Sequence, residues 1–229
     1  MKKLYIILAL SLSAFTSKAQ FGEWEVGPFI GWALYQGDLI PKSYDLSQTN
    51  LAFGFTSRYN YYYNFNIRGN LLVGRISASD DDYPDTNRKG RSYSFSTSVI
   101  EISALAEYEP LGKMRQLQGG KSKLRVSPYV MGGMGLAFTN PKPAFPRIGN
   151  PDSQNPIIQD VRAGYSKIHL ALPLGGGVRF DVTSRWMIGA EVAGRYAFTD
   201  YLDGISLSAN PKRNDWYWFG GFTAMYRLD

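Results

Sequence analysis

The chain has 229 residues, with 25 Lys and Arg against 19 Asp and Glu and a formal net charge of +6. Lys2, Lys3 and Lys18 lie in an amino-terminal segment whose removal leaves 22 basic against 19 acidic residues, a surplus of +3 that is too weak to mark a nucleic-acid partner. There is no cysteine, which excludes a disulfide framework, a thiolate metal site and a lipidated amino-terminal cysteine.

The first element is an export signal. Lys2 and Lys3 precede an apolar run from Leu4 to about Phe15, and Ser17-Lys18-Ala19 offers small residues where a signal peptidase reads, so cleavage is expected near Ala19/Gln20. Residues 1–19 are read as the signal peptide and 20–229, about 210 residues, as one domain. Nothing after the signal approaches the roughly 20 apolar residues of a membrane-spanning helix, so a spanning mature chain must be a closed barrel.

Eight segments then alternate with period two, the signature of β-strands. Glu23 to Tyr35 points Trp24, Val26, Ile30, Trp32 and Leu34 one way and Glu25, Gly27, Phe29, Gly31 and Ala33 the other. Leu51 to Tyr63 sets Leu51, Phe53, Phe55, Tyr59 and Tyr61 against Ala52, Gly54, Thr56, Arg58 and Asn60. After a short turn near Asn64, Ile67 to Ile76 opposes Ile67, Leu71 and Val73 to Arg68, Asn70 and Gly74, with Arg75 on the apolar face near the strand end, within reach of headgroups. In the fourth strand Tyr93 and Phe95 are out of phase with Ile100, Ile102, Ala104, Ala106 and Tyr108, and a bulge near Thr97 is expected to restore register. Leu124 to Phe138, Ile168 to Phe180, Trp186 to Phe198 and Asp215 to Leu228 complete the set, each long enough for the roughly 9 to 11 residues of a tilted crossing.

The polarity of the alternation names the solvent. One face is bulky and apolar; the other is Gly, Ala and small polar residues with single charges, which suits the cramped lumen of a small barrel. Lipid suits the apolar face, where a charge near the midplane costs roughly 2 to 4 kcal/mol. The 16 Tyr and 5 Trp suit interfacial girdles. The fold class is therefore an eight-stranded antiparallel up-and-down transmembrane β-barrel. Turns near Asn64 and at Asp181 to Arg185 are short, whereas 36–50, 77–91, 139–166 and 199–214 are long, which places the short turns in the periplasm and the long loops outside the cell. The connection Pro110 to Lys123 is a long exception on the periplasmic side.

An eight-stranded barrel has room only for its own side chains, so the lumen is expected to be plugged. Its charges are read as Glu25, Arg58, Arg68, Glu101, Glu107, Arg125, Arg179, Glu191, Arg195 and Arg227, a structural ion-pair network in preference to a proton or ion path. His169, the only histidine, falls on the lumen face with no visible nucleophile beside it, so no catalytic residue is assigned. Asp80, Asp81, Asp82 and Asp85 match no defined calcium loop and read as a solvated acidic loop; no metal or cofactor is expected. Arg88, Lys89 and Arg91 could meet lipopolysaccharide phosphates. Gly175-Gly176-Gly177 lies inside a strand and fits close backbone packing.

The segments Tyr35-Gln36-Gly37-Asp38-Leu39, Pro173-Leu174-Gly175-Gly176-Gly177, Arg195 to Asp203 (Arg-Tyr-Ala-Phe-Thr-Asp-Tyr-Leu-Asp) and Asn214-Asp215-Trp216-Tyr217 resemble the PorG-like outer-membrane proteins associated with the type IX secretion system. The resemblance spans most of the mature chain, apart from the proline-rich segment Pro141 to Pro156. It implies a non-enzymatic component that links the outer membrane to a periplasmic ring in a protein-export and gliding machine, and it transfers no catalytic residue. On that reading the partners are outer-membrane lipids or lipopolysaccharide and periplasmic ring proteins, with Lys113, Arg115, Lys121 and Lys123 as the docking surface. The alternatives are a stand-alone OmpA-like or OmpX-like barrel serving envelope integrity or adhesion, and a lipid-modifying enzyme dependent on His169.

Overall fold

The computed structural model describes residues 23–37, 48–82, 93–116, 126–145, 156–162, 164, 166–205 and 215–228. Eight strands follow in chain order: β1 (Glu23–Gln36), β2 (Asn50–Asn60), β3 (Phe65–Ser79), β4 (Ser94–Tyr108), β5 (Val126–Ala144), β6 (Ile168–Asp181), β7 (Trp186–Ala197) and β8 (Trp216–Arg227). Each pairs antiparallel with its chain neighbours, and β8 returns to β1 through pairs such as Ile30↔Phe222 and Trp32↔Gly220, so the sheet closes on itself. Closure leaves no edge in the spanning region, the condition for a sheet to survive in hydrocarbon.

Polarity is inside out. Leu51, Leu174 and Phe222 are 71%, 71% and 64% exposed on the outer face, while Glu25, Glu101 and Glu107 are fully buried in the lumen. Alternation places them there, because side chains two residues apart share a face. On β5 the outward apolar run from Val126 to Phe138 covers about 40 Å of strand, or roughly 30 Å of height at a barrel tilt of about 40°, which matches a bilayer core. Aromatic rings line the band near the short turns, pairing across strands as Trp24–Tyr59, Phe65–Tyr108 and Trp186–Tyr226. At the other margin Tyr196 packs on Phe198 and Trp216. Amphipathic rings at both margins are the interfacial anchors of a membrane protein.

The lumen has two halves. Toward the long loops it is apolar, with Phe29, Tyr35, Leu72, Ile76, Phe95, Val99, Tyr217 and Phe219 in one buried cluster. Toward the short turns it is ionic. That division corrects the expected bulge near Thr97: β4 pairs with β3 without interruption from Ser94 to Tyr108, and Phe95, Thr97, Val99 and Glu101 all face inward. Phe95 looked out of phase only because apolar residues were taken to face lipid, whereas the loop-end lumen is itself apolar.

Strand limits also move. β2 stops at Asn60, so Tyr61 lies in the turn instead of the strand, and β3 begins two residues earlier and runs three later than the pattern indicated. β5 continues to Ala144, so residues 139–144 are strand and the expected loop from 139 to 166 is shorter. Because β6 begins at Ile168 opposite Phe138, β5 pairs with no further strand on that side among the described residues. Thr139 N–H donates across that edge to Lys167 O at 2.8 Å, so the odd residues aim their N–H groups there, and Pro141 and Pro143 have none to offer. Proline thus blunts the projecting edge against strand addition.

Candidate functional site

The ionic half of the lumen grows from seven strands, all but β5, whose inward positions carry charge. Arg58 on β2 contacts Glu25 on β1 and lies 3.2 Å from Glu107 Oε1 on β4. Arg68 on β3 grips Glu191 on β7 with two bonds, Nη1 to Oε2 at 2.7 Å and Nη2 to Oε1 at 2.6 Å. Tyr129 O–H donates to Glu191 Oε2 at 2.6 Å, and Arg68 Nε donates to Asn70 Oδ1 at 2.8 Å. Arg179 on β6 bonds both Glu107 and Glu109 and lies 4.6 Å over the Tyr129 ring. Nearer the middle, Arg195 Nε donates to Glu101 Oε2 at 3.1 Å, and Tyr217 O–H donates to the same oxygen at 2.8 Å. Arg227 closes the base, 3.0 Å from both Glu23 and Glu25.

Five buried glutamates (Glu25, Glu101, Glu107, Glu109, Glu191) thus meet five arginines (Arg58, Arg68, Arg179, Arg195, Arg227) across the barrel. A buried charge is tolerated only when paired and hydrogen-bonded, and here each has a counter-charge. The cavity bounded by Thr56, Arg58, Arg68, Tyr129, Arg179 and Thr223 measures about 10 Å³, on the order of one water. Among the described residues this part of the interior is filled by its own side chains.

The opposite mouth is capped by the segment after β7. Leu202 and Ile205 are fully buried in the apolar cluster, and Asp203 beside them is equally inaccessible. Tyr35 O–H lies 2.7 Å from Asp203 Oδ2 and 2.8 Å from Asp215 Oδ1, while Leu202 N–H donates to Asp215 Oδ2 at 3.1 Å. Thr97 Oγ1 donates to Leu202 O at 2.8 Å. Gly204 holds φ at 78°, a left-handed conformation natural to glycine, and a Cβ there would press on Pro143 at 3.0 Å. The hydroxyls and carboxylates therefore fasten a hydrophobic stopper into the barrel mouth.

The remaining sequence candidates fall as follows. Arg125, Lys121 and Lys123 lie outside the described residues, as do Asp85, Arg88, Lys89 and Arg91. Lys113 is exposed on α1 (Gly112–Gln116), a short helix that opens the connection after β4; Arg115 belongs to the same helix. Asn64 Nδ2 donates to Glu109 O at 2.8 Å and Pro110 O at 2.9 Å, which ties that connection to the β2–β3 turn. A Cβ on Gly112 would meet Tyr63 O at 1.8 Å, so the helix sits directly on the turn. His169 is buried with Nε2 3.1 Å from Thr139 Oγ1. Asp80 is buried and accepts Tyr93 N–H at 3.1 Å, so it is part of the wall and not of a solvated loop, whereas Asp82 is exposed and accepts from Gln48. No cluster of potential metal ligands occurs among the described residues.

The model of the family described as a domain of unknown function, DUF6089, matches residues 2–229. The chain belongs to that family. No curated protein matches the sequence. Among solved structures, the DUF6089 chain is similar to Ail, the attachment invasion locus protein of Yersinia pestis, at 12% identity over 91% of this chain and 99% of that one, TM-score 0.45. It is similar to the outer membrane protein OprG from Pseudomonas aeruginosa at 11% identity over 91% and 96%, TM-score 0.48. It is also similar to the outer membrane enzyme PagL at 12% identity over 89% and 98%, TM-score 0.33. These are likenesses of strand architecture between distant sequences; the barrel here rests on its own closed ladder.

Two groups escaped the sequence reading. Glu109 continues the inward phase of Glu107, and ending the fourth strand at Tyr108 hid it. Asp203 and Asp215 sit in segments read as loop and strand margin. Their signals lay in two of the segments that carry the resemblance, Thr199 to Asp203 and Asn214 to Tyr217.

Proposed function

We propose that this DUF6089 protein is a non-enzymatic outer-membrane barrel, an accessory structural component of the type IX protein secretion and gliding machinery that links the outer membrane to a periplasmic ring complex. The observation that carries the non-enzymatic part is the filled interior: paired charges below, with a cavity of only about 10 Å³ among them, and an apolar stopper above. A barrel packed in this way acts through its rims. The export signal and the inside-out polarity support the outer membrane as its location. The link to type IX secretion rests on the sequence resemblance, whose more distinctive segments build the cap and the start of β8.

The proposed docking surface is the connection that starts with α1 on the short-turn rim, taken as periplasmic, with Lys113, Arg115, Lys121 and Lys123. Its fastening to the β2–β3 turn through Asn64 and Gly112 supports this, because a fixed base presents a partner with less ordering cost than a free loop. Mild-detergent extraction and pull-down of the mature protein, followed by identification of the retained proteins, tests it. Periplasmic ring proteins should be retained by the native protein and lost when the four basic residues are changed to Glu. Retention that survives charge reversal removes the docking surface; no ring protein with either form removes the secretion role.

A second reading is a stand-alone OmpA-like or OmpX-like barrel that works through its outer rim. It is favoured by the projection of β3, β4 and β5 beyond the apolar band. An enzyme acting on lipid is disfavoured by the seat of His169, buried in the lumen against Thr139.

A further inference from the structure

The loop-end rim meets the membrane surface in two different ways around its circumference. At the end of β7, just after it and at the start of β8 the outward residues are aromatic: Tyr196, Phe198 and Trp216. On β3, β4 and β5 the apolar band stops at Val73, Ile100 and Phe138, and the same outward face continues as Arg75, Ser77, Ser79, Ser98, Ser96, Asn140 and Lys142. The ladder fixes the layout. One row reads Arg75↔Ser98↔Asn140 and the next Ser77↔Ser96↔Lys142.

From this arrangement we propose that the β3–β4–β5 face binds the phosphate groups of outer-leaflet glycolipid headgroups, with Arg75 and Lys142 as the two cations and Ser98 and Asn140 as neutral donors between them. The proposal rests on the outer-membrane reading given above.

Position is the first argument. The row of Arg75 is the first polar row above hydrocarbon, which is where a phosphorylated headgroup lies. Spacing is the second: neighbouring strands lie about 4.8 Å apart, so the two cations spring from points roughly 10 Å apart sideways and one row apart, and both long side chains can converge on one anion. Charge is the third. Arg75 and Lys142 are exposed and have no ion-pair partner among the described residues, unlike the arginines of the lumen. Among the described residues the exposed carboxylates of that sector, Asp81 and Asp82, follow Ser79, about 13 Å along the strand from Arg75 and beyond a Debye length of about 8 Å. Rigidity is the fourth, since both cations stand on strands paired through continuous ladders, and no backbone has to be ordered when they clamp a ligand.

The test uses refolded mature protein in neutral detergent micelles, with bisphosphorylated lipid A as probe and its dephosphorylated form as control. Retained lipid is counted by native mass spectrometry, and barrel formation is checked by heat-modifiable gel mobility. Native protein should retain the phosphorylated probe and not the control. Arg75→Gln and Lys142→Gln should each weaken retention about 5-fold and the double variant about 30-fold. Inorganic phosphate should compete only poorly, because it lacks the acyl chains that hold the lipid against the band. Equal retention of the two lipids, or undiminished retention by a folded double variant, overturns the site. Complete displacement by inorganic phosphate makes it a free-anion site and overturns the glycolipid assignment. Failure to form a barrel in micelles would overturn the membrane reading itself, and so is distinguishable from failure of the site.

Discussion

Replacing Arg68 with Met leaves Glu191 buried without its guanidinium. The lost contacts are the two bonds to Glu191 at 2.6 and 2.7 Å, the Nε bond to Asn70, the bonds to Thr56 Oγ1 at 3.3 Å and Met131 Sδ at 3.5 Å, and the 3.7 Å approach to Glu107 Oε2, while among the described residues Glu191 keeps the 2.6 Å bond from Tyr129. Both side chains are at most 5% exposed, so water cannot take over. Breaking such a pair from one side costs about 3 to 5 kcal/mol. The double change Arg68→Met with Glu191→Met removes both charges and should cost less than about 2 kcal/mol, because the desolvation of each ion disappears with it. Glu191→Met alone strands Arg68 and should cost a similar amount, roughly 3 to 5 kcal/mol, so the coupling between the sites is about 4 kcal/mol or more. Urea unfolding from lipid vesicles, followed by tryptophan fluorescence, measures all three variants against the native protein. A single-variant loss below about 1 kcal/mol, or simple additivity of the two changes, would refute the structural role of the network.

Leu202→Ala should destabilise the barrel by about 2 to 5 kcal/mol in the same assay and expose the cap to added protease, since it empties a fully buried site; unchanged protease resistance argues against a stopper. Gly31→Val should prevent a heat-modifiable barrel from forming, because a Cβ at Gly31 would stand 2.1 Å from Gly220 O across the closing β1–β8 ladder. His169→Ala should cost about 1 to 4 kcal/mol, the worth of its bond to Thr139 together with the space the buried ring vacates. If the native protein hydrolysed lipid and this variant did not, the non-enzymatic reading would be wrong.

The strand count, the closed fold and the lumen phase of Glu25, Arg58, Arg68, Glu101, Glu107, Arg179, Glu191, Arg195 and Arg227 were legible in the chain because through the bilayer the outward positions are apolar and the charges fall on the inward ones. Beyond the bilayer that rule inverts. Phe95 and Val99 pack into an apolar lumen and Ser96 and Ser98 face outward, so the pattern on β4 looks broken although the strand is continuous. Pairing between residues was not legible: which arginine meets which glutamate depends on the stagger of the strands. The cap lay further still from reach, since Leu202 and Ile205 become core only when the loop folds back over the mouth.

The central claim is that the outer face of the barrel lies in hydrocarbon. The native chain has no cysteine, so single cysteines can be introduced and spin-labelled without interference. In proteoliposomes, labels at Ile102, Leu136, Leu172 and Phe222 should be accessible to oxygen and shielded from a water-soluble nickel complex, whereas labels at Arg75 and Lys142 should show the reverse. Labels at Ile102, Leu136, Leu172 and Phe222 that respond to the nickel complex as strongly as the loop-end sites would contradict the account.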